Sequence, residues 1–270
     1  MTSLLSYSNR ILLPGEWETV TGTVSNALTN LSTMQAPIPF VTATPDEGAV
    51  ELKFTAHDSS GEPESFFADT FGALGLTDAS SIAERPGLPD GALIEFLDGS
   101  TLIASAEWAA LTNRSRPSNV FALSEDKEIN DFRMRISNAG SNPFRISGVW
   151  AGLSIRKKLS RDWDIETVDY SSVIRAESTP WPNMRRQADI VPGRFGLLSE
   201  DEAYGINGGR NFKYAFEKSG TSSPVVYITD TSTSSRIAHL SVYGLLRAGW
   251  SIQREQGMFF SAQFEVKEIR

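Results

Sequence analysis

Residues 131–137 read Asp-Phe-Arg-Met-Arg-Ile-Ser, and apolar and polar side chains alternate through the segment. In an extended strand Phe132, Met134 and Ile136 therefore lie on one face, and the two arginines lie on the other. This alternation is typical of an antiparallel strand with one buried face and one solvated face. It predicts a mainly-β protein.

Neighbouring segments extend this prediction over the first half of the chain. Three more are short and rich in β-forming residues, namely 50–56, 92–97 and 145–150. Asp-Gly pairs at 90–91 and 98–99 supply the positive φ angles that tight hairpins need. The first half is therefore predicted to be a β-sandwich. Residues 63–76 are an exception, because three phenylalanines recur there at roughly helical spacing and predict a short helix.

The second half adds one strong helix signal to further predicted strands. Ser199 and Glu202 form a capping box, which satisfies free backbone donors at a helix start. Gly205 and the glycine pair at 208–209 are expected to interrupt the helix, and a second short turn is predicted to end at Gly220.

The length of 270 residues predicts two domains rather than one. We expect a β-sandwich domain over residues 1–153, and a second β-rich α+β domain with one short helix over residues 154–270. We place this boundary after Gly152, because the predicted strands that follow are short and bounded by charged and turn residues.

Composition excludes several classes of function. The chain has no cysteine, which removes disulfides, zinc-thiolate sites and thiol catalysis and suits a protein made in the cytoplasm. A formal net charge of −8 argues against nucleic-acid binding through a generally basic surface. No run of about 18 apolar residues is present, so no membrane insertion is expected. The remaining expectation is binding to other proteins.

The sequence does not predict an enzyme, a metal site or a cofactor. The two histidines, His57 and His239, lie far apart and lack the spacing of a zinc site. The glycine-rich segments match neither the phosphate loop nor the dinucleotide fingerprint. Two alternatives stay open: loop residues could hold calcium, and a pair of carboxylates could hydrolyse a glycan. The calcium candidates are Asp90, Asp98, Asn130 and Asp131, and the carboxylate candidates are Glu95, Asp98 and Glu107.

Two tryptophans are candidates for contact with a carbohydrate. Trp17 and Trp108 have polar neighbours, whereas Trp150 and Trp250 lie in apolar strand patterns and are expected to be buried. An exposed aromatic ring can stack on the C–H face of a sugar, which makes a carbohydrate-binding module an alternative function.

The order of several segments resembles a known family. Residues 146–152 read Ile-Ser-Gly-Val-Trp-Ala-Gly at the end of the predicted sandwich, and the capping-box segment at 198–202 follows. Downstream come residues 223–228, Ser-Pro-Val-Val-Tyr-Ile, and the terminal strand at 260–269. This order resembles the distal-tail or minor tail proteins of long-tailed bacteriophages, and the first domain is similar to a galactose-binding-like jelly roll.

The resemblance implies a structural role in a virion. Distal-tail proteins form a ring that connects the tail tube to the baseplate and to receptor-binding proteins, so copies of this chain and other tail proteins are the expected partners. A closed ring repeats one heterologous interface by rotation. A compact basic run is the candidate contact with an acidic surface on a neighbour, although a solvated connector explains it equally well. The run comprises Arg156, Lys157, Lys158 and Arg161.

Overall fold

A computed structural model describes most of the chain. The described residues are 2–12, 14–31, 40–80, 86–108, 119–158, 166–168, 172–175, 180–183, 188–207, 210–233, 237, 241–247, 249–255 and 257–269. Within them the chain forms twenty-one β-strands, two α-helices and two short 3-10 helices. The predicted mainly-β fold class is confirmed.

The elements follow in chain order. The strands are β1 (Thr2–Tyr7), β2 (Gly15–Thr21), β3 (Thr23–Ser25), β4 (Val41–Thr44), β5 (Val50–Ala56), β6 (Phe66–Leu74), β7 (Thr77–Asp78), β8 (Leu93–Asp98), β9 (Thr101–Glu107), β10 (Asn119–Ile129), β11 (Phe132–Ser137), β12 (Phe144–Ile146), β13 (Gly148–Lys158), β14 (Glu166–Val168), β15 (Ser172–Arg175), β16 (Pro180–Asn183), β17 (Ala188–Leu198), β18 (Pro224–Ile228), β19 (Ser241–Leu246), β20 (Ser251–Arg254) and β21 (Phe260–Glu268). The α-helices are α1 (Glu200–Tyr204) and α2 (Phe212–Ser219), and the 3-10 helices are Arg10–Leu12 and Leu28–Leu31.

The chain divides into two compact units. Unit 1 comprises Met1–Tyr7, Ile155–Thr229 and Val242–Arg270, and unit 2 comprises Ser8–Ser154 and Asp230–Ser241. The main boundary lies one residue from the predicted division at 153 and 154. Two pieces differ from that division: the first strand belongs to unit 1, and the segment after residue 229 belongs to unit 2. Local sequence patterns do not reveal these assignments, because each depends on a partner far away in the chain.

Unit 2 is a β-sandwich around one aromatic core. A five-stranded antiparallel sheet has the order β2-β5-β11-β8-β9. It shares a core with two further groups of strands, β3-β4-β12-β7 and β10-β6-β13. Phe132 and Phe96 of the first sheet are in the same buried cluster as Phe144 of the second group and Phe71 of the third. The predicted sandwich is thus present.

The register of β11 matches the alternation that predicts it. Phe132, Met134 and Ile136 are fully buried, and the two arginines between them are half-buried on the opposite face. β11 pairs with β5 on one side and β8 on the other, so its backbone groups are satisfied within the sheet.

The helix predicted within residues 63–76 is wrong. Most of this segment is strand β6, which pairs with β10 on one side and β13 on the other. Phe66 and Ala68 are buried while Phe67 between them is 49% exposed, which is the two-residue period of a strand. Pairing on both sides outweighs the apparent helical spacing, because short apolar runs fit either period.

Unit 1 combines a sheet with two helices rather than the one expected. Its sheet has the order β1-β18-β19-β21-β17-β14, with β20 paired to β21, and β15 and β16 pair separately. Phe212 and Phe216 of α2 pack in one buried cluster with Phe195 of β17 and Phe264 of β21. The N-cap of α2 is Asn211, whose side chain accepts a hydrogen bond from the Tyr214 backbone N–H at 2.8 Å.

Candidate functional site

A bulge in β17 exposes a leucine on unit 1. β17 and β21 pair in register as far as Phe195 opposite Ala262, and the register shifts before Leu198 pairs with Phe260. Leu197 lies in this irregularity with a φ of 55°, which is left-handed backbone that costs a leucine roughly 1–2 kcal/mol. Its side chain is 67% exposed. The bulge thus places a large apolar side chain in solvent and strains the backbone at the same position.

Helix α1 follows directly and presents a tyrosine beside the same strands. The predicted capping box is confirmed, because Ser199 Oγ accepts from Glu202 N at 3.2 Å and Ser199 N donates to Glu202 Oε2 at 2.8 Å. The helix ends at Gly205 in a left-handed conformation, as its sequence position predicts. Tyr204 packs edge-on against Phe260 at 5.2 Å between ring centroids. Ile206, just past the cap, is 64% exposed.

The turn between β20 and β21 supplies two more apolar side chains. Met258 is 81% exposed and Phe259 is 49% exposed. The Glu255 backbone N–H donates to the Phe259 carbonyl at 2.8 Å, which closes the turn and holds both side chains at its tip. We call Leu197, Tyr204, Ile206, Met258 and Phe259 together the apolar surface.

The apolar surface contains half of the large hydrophobic side chains that are exposed in the described part of the chain. Ten large hydrophobic side chains are exposed within the described residues, and five of them are on three segments of unit 1 that adjoin Phe260: the β17 bulge, the end of α1 and the β20–β21 turn. Single exposed apolar residues are ordinary, but a group of them on neighbouring elements is typical of an interaction surface.

One arginine lies beside the apolar surface. Arg254 is exposed at the end of β20, opposite Phe260, and its Nε donates to the Gly257 carbonyl at 3.2 Å. Among the residues that the structure describes, Arg254 makes no ion pair. A carboxylate on a bound partner is the chemical complement of this guanidinium group.

The predicted basic contact run is partly engaged within the chain itself. Arg156 and Lys157 are half-buried at the end of β13, and Lys157 Nζ forms an ion pair with Glu202 of the capping box. Burial favours a higher pKa for the Glu202 carboxyl, but hydrogen bonds from Lys157 and Ser199 outweigh it and hold the pKa below its ordinary value. Lys157 thus stabilises α1. The side chain of Lys158 and all of Arg161 lie outside the described residues.

A groove in unit 1 is lined in part by residues of β17 and β21. It has a volume of about 440 Å³, and its charged lining residues are Arg194, Arg247 and Glu265. Arg247 Nη1 lies 2.7 Å from Glu265 Oε2, and Arg194 Nη2 lies 3.1 Å from Glu255 Oε1. Both guanidinium groups therefore already have carboxylate partners.

Neither tryptophan predicted as a carbohydrate contact has a fully exposed side chain. Trp108 is 3% exposed within the core of unit 2, and its backbone N–H donates to the Ala92 carbonyl at 2.6 Å. The prediction of a surface ring at Trp108 is therefore corrected: polar sequence neighbours do not determine burial, which is set by tertiary packing. Trp17 is half-buried and packs on Phe54 at 5.2 Å between centroids.

The outer face of the five-stranded sheet carries a network of ion pairs. Arg133 bonds to Asp131 at 2.8 Å and to Glu51 at 3.0 Å, and Asp131 and Glu51 raise the pKa of the guanidinium above its ordinary value. Arg135 bonds to Glu95 at 2.7 Å. Most charges on this face are thus paired across adjacent strands.

The candidate metal and catalytic residues hold structural positions. The Asp98 carboxylate accepts hydrogen bonds from the backbone N–H groups of Asn130 and Asp131 at 3.0 and 2.9 Å. Aspartate commonly stabilises turns through such side-chain-to-backbone bonds. Glu107 lies at the end of β9 and Asp90 in the turn before β8. Over the described ranges, no group of three or more potential ligand side chains is placed to hold a metal ion. His239 lies outside those ranges, and His57 donates its backbone N–H to Pro14 at 2.8 Å.

Comparisons with known proteins give a structural likeness only. No protein-family model matches the sequence, and no curated protein does. The lectin domain of lectinolysin, complexed with Lewis B antigen, is similar at a TM-score of 0.39 and 8% identity over 55% of this chain and 99% of that one. A Streptococcus pneumoniae fucose binding module scores 0.38 at 8% identity, over 54% and 95% of the two chains. The family 32 CBM from C. perfringens NanJ, in complex with galactose, scores 0.39 at 7% identity, over 56% and 99%. None of the described helices is long and apolar enough to cross a membrane.

The apolar surface is not predicted from the sequence, although one signal for part of it exists. Residues 258–260 read Met-Phe-Phe directly before a strand that buries alternate side chains. Three large apolar residues in succession cannot all face the core at a two-residue period, so at least one must face out. The bulge at Leu197 has no comparable local signature.

Proposed function

We propose that this chain is a structural component of a phage virion, a distal-tail or minor tail protein. In this role it forms a ring that connects the tail tube to the baseplate or to receptor-binding proteins. The observation that carries the proposal is the apolar surface of unit 1. The order of sequence segments that resembles those tail proteins supports the placement in a tail, after synthesis in the host cytoplasm.

The apolar surface supplies a driving force for assembly. Burying a large apolar side chain stabilises a complex by roughly 1.5–3 kcal/mol relative to leaving it in water. Leu197 and Met258 are mostly in water in the isolated chain, so an interface that covers them gains most of this free energy. Their positions on a β-bulge and a closed hairpin turn mean that little ordering is needed on binding.

The test is the mass and shape of the purified protein across a concentration range, by light scattering and negative-stain microscopy. We compare the wild type with Met258→Ser/Phe259→Ser, with and without the tail-tube protein. The wild type is expected to form rings or a stoichiometric complex, and the variant is expected to remain monomeric. Val20→Ser is the matched control, because Val20 is 46% exposed on unit 2. A wild-type protein that stays monomeric and ignores the tube overturns the proposal.

Carbohydrate binding by unit 2 is a second candidate, and one surface favours it. Arg133 pairs in register with Leu97, which itself lies opposite Leu102, and Leu102 is 50% exposed. Arg133 already bonds to Asp131 and Glu51, so the exposed Leu102 is the contact that this surface offers to the C–H face of a sugar.

A glycan panel tests this second candidate. Binding that is lost on Leu102→Ser and kept on Val20→Ser supports it, whereas no binding by the wild type across a broad panel excludes it. Substitution of Trp108 is unsuitable for this test, because that side chain is part of the core.

A further inference from the structure

The two units carry opposite net charge. Unit 2 contains 20 acidic and 10 basic residues, a net charge of −10, whereas unit 1 contains 13 acidic and 15 basic residues, a net charge of +2. Identical copies that meet through the same unit place like charges together. Contact between unit 1 of one copy and unit 2 of the next is electrostatically favoured instead.

Phe67 is the more exposed of two large aromatic side chains on the described surface of unit 2, and acidic residues lie near it. Phe67 of β6 lies opposite Glu128 of β10, and Glu128 accepts a hydrogen bond from Ser65 at 2.7 Å. The register of β10 shifts between Ala122 and Lys127, and Glu125 within this bulge is exposed. We call Phe67, Glu125 and Glu128 the Phe67 knob.

The Phe67 knob and the apolar surface are chemically complementary. The knob has a half-exposed ring with two carboxylates that make no ion pair within the described chain. The apolar surface has exposed Met258 and Phe259 with Arg254 beside them. An aromatic ring in contact with a methionine side chain is favourable. Hydrogen bonds from a guanidinium group to two carboxylates would also fix the orientation of one surface on the other.

We propose that the Phe67 knob of one copy docks on the apolar surface of the next copy, with Arg254 facing Glu125 and Glu128. This inference rests on the proposed self-assembly and names the two surfaces that meet. The surfaces lie on different units, so the contact is heterologous and repeats from copy to copy, as a ring requires.

Thiol cross-linking tests the contact directly, because the chain has no cysteine and each variant carries a single thiol. Phe67→Cys copies and Met258→Cys copies with different tags are mixed under mild oxidation, and disulfides that join the two tags are measured. A disulfide forms only where two Cα atoms approach within about 7 Å, so docking is expected to give the mixed disulfide at least tenfold faster than a control pair. The control pair is Val20→Cys with Met258→Cys.

The outcomes separate this inference from the proposed function. A wild type that does not assemble at all removes both. Assembly of the wild type with equal cross-linking of Phe67→Cys and Val20→Cys removes the docking inference alone. Predominant Met258→Cys homodimers also overturn it, because they show that two apolar surfaces meet face to face.

Charge exchange gives an independent readout on assembly. Arg254→Glu is expected to weaken self-association by about tenfold, and Glu125→Arg/Glu128→Arg by a similar factor. A chain with all three substitutions is expected to recover at least half of the lost association. If the triple variant does not recover self-association, although circular dichroism shows each variant to be folded, then Arg254 does not face Glu125 and Glu128.

Discussion

On the five-stranded sheet of unit 2, most charged side chains form ion pairs with one another. Unit 1, in contrast, exposes several large apolar side chains and an arginine that forms no ion pair within the described residues. Arg133 and Arg135 each bond to a carboxylate on a neighbouring strand or turn. In unit 1, Leu197 and Met258 are 67% and 81% exposed. Both units have aromatic cores, so the contrast lies in their surfaces. The described surface of unit 1 has the larger group of exposed apolar side chains, and the proposed assembly covers it.

The largest expected effect lies in the core of unit 2. Phe132 is fully buried and its ring is 6.0–6.3 Å from three other phenylalanine rings. Phe132→Ala is expected to lower the free energy of unfolding by about 3–5 kcal/mol, through lost burial and a cavity. Urea denaturation measures the total, and hydrogen exchange is expected to increase first in β5, β8 and β11. A change confined to unit 1 contradicts the division into units.

A smaller effect is expected on the charged face of the same unit. Arg135→Ala leaves the Glu95 carboxylate, which is 7% exposed, without its guanidinium partner. The expected loss is about 1–2 kcal/mol, because a desolvated charge loses its hydrogen bonds. Arg247→Ala in unit 1 is the matched control, since both members of that pair are about half exposed and the loss is expected below about 1 kcal/mol. Equal losses contradict the view that burial sets the difference.

The capping box of unit 1 predicts a pH dependence. The pKa of Glu202 is lower in the folded state than its ordinary value of about 4.5, so its stabilisation is full above that value and is lost as the pH falls through the folded-state pKa. Glu202→Gln is expected to reduce stability by about 0.5–1 kcal/mol at pH 7, because Gln can keep the capping box but loses the ion pair with Lys157, and the difference from the wild type is expected to shrink in acid.

The measurement for Glu202 is urea denaturation at pH 7 and at low pH. Glu217→Gln is the control, because the Lys213–Glu217 pair on α2 is exposed and 3.8 Å long, and its loss is expected to stay below about 0.5 kcal/mol. A difference between wild type and Glu202→Gln that grows in acid contradicts the sign of the pKa shift.

The smallest effect on stability is expected at the apolar surface. Met258→Ser changes a mostly solvated side chain, so the free energy of unfolding of the monomer is expected to change by less than about 0.5 kcal/mol. Differential scanning calorimetry at low protein concentration measures it. A loss above about 2 kcal/mol shows that Met258 supports the fold of unit 1 and is not a free contact residue.

Local sequence patterns predict part of this molecule well. The alternation in β11 and the capping box of α1 each depend on residues within one element, so they are readable without knowledge of the rest of the chain. The burial of Trp108 and the strand β6 depend on packing against distant residues, and there the predictions are wrong. The apolar surface combines a bulge, a helix end and a turn from separate segments, so single-segment patterns do not reveal it.

The pairing of β1 with β18 also has a consequence for synthesis on the ribosome. Leu4 lies opposite Ile228, so the first strand emerges more than 200 residues before its partner. At about 5–20 residues per second, on the order of 10–45 s pass before the pair can form. During that interval most of unit 2 is already outside the ribosome and free to fold, while the first strand, with Leu4 and Leu5, waits for β18. Nascent-chain aggregation and chaperone engagement are therefore expected to concentrate on residues 2–7, the segment whose burial in the finished protein is almost complete.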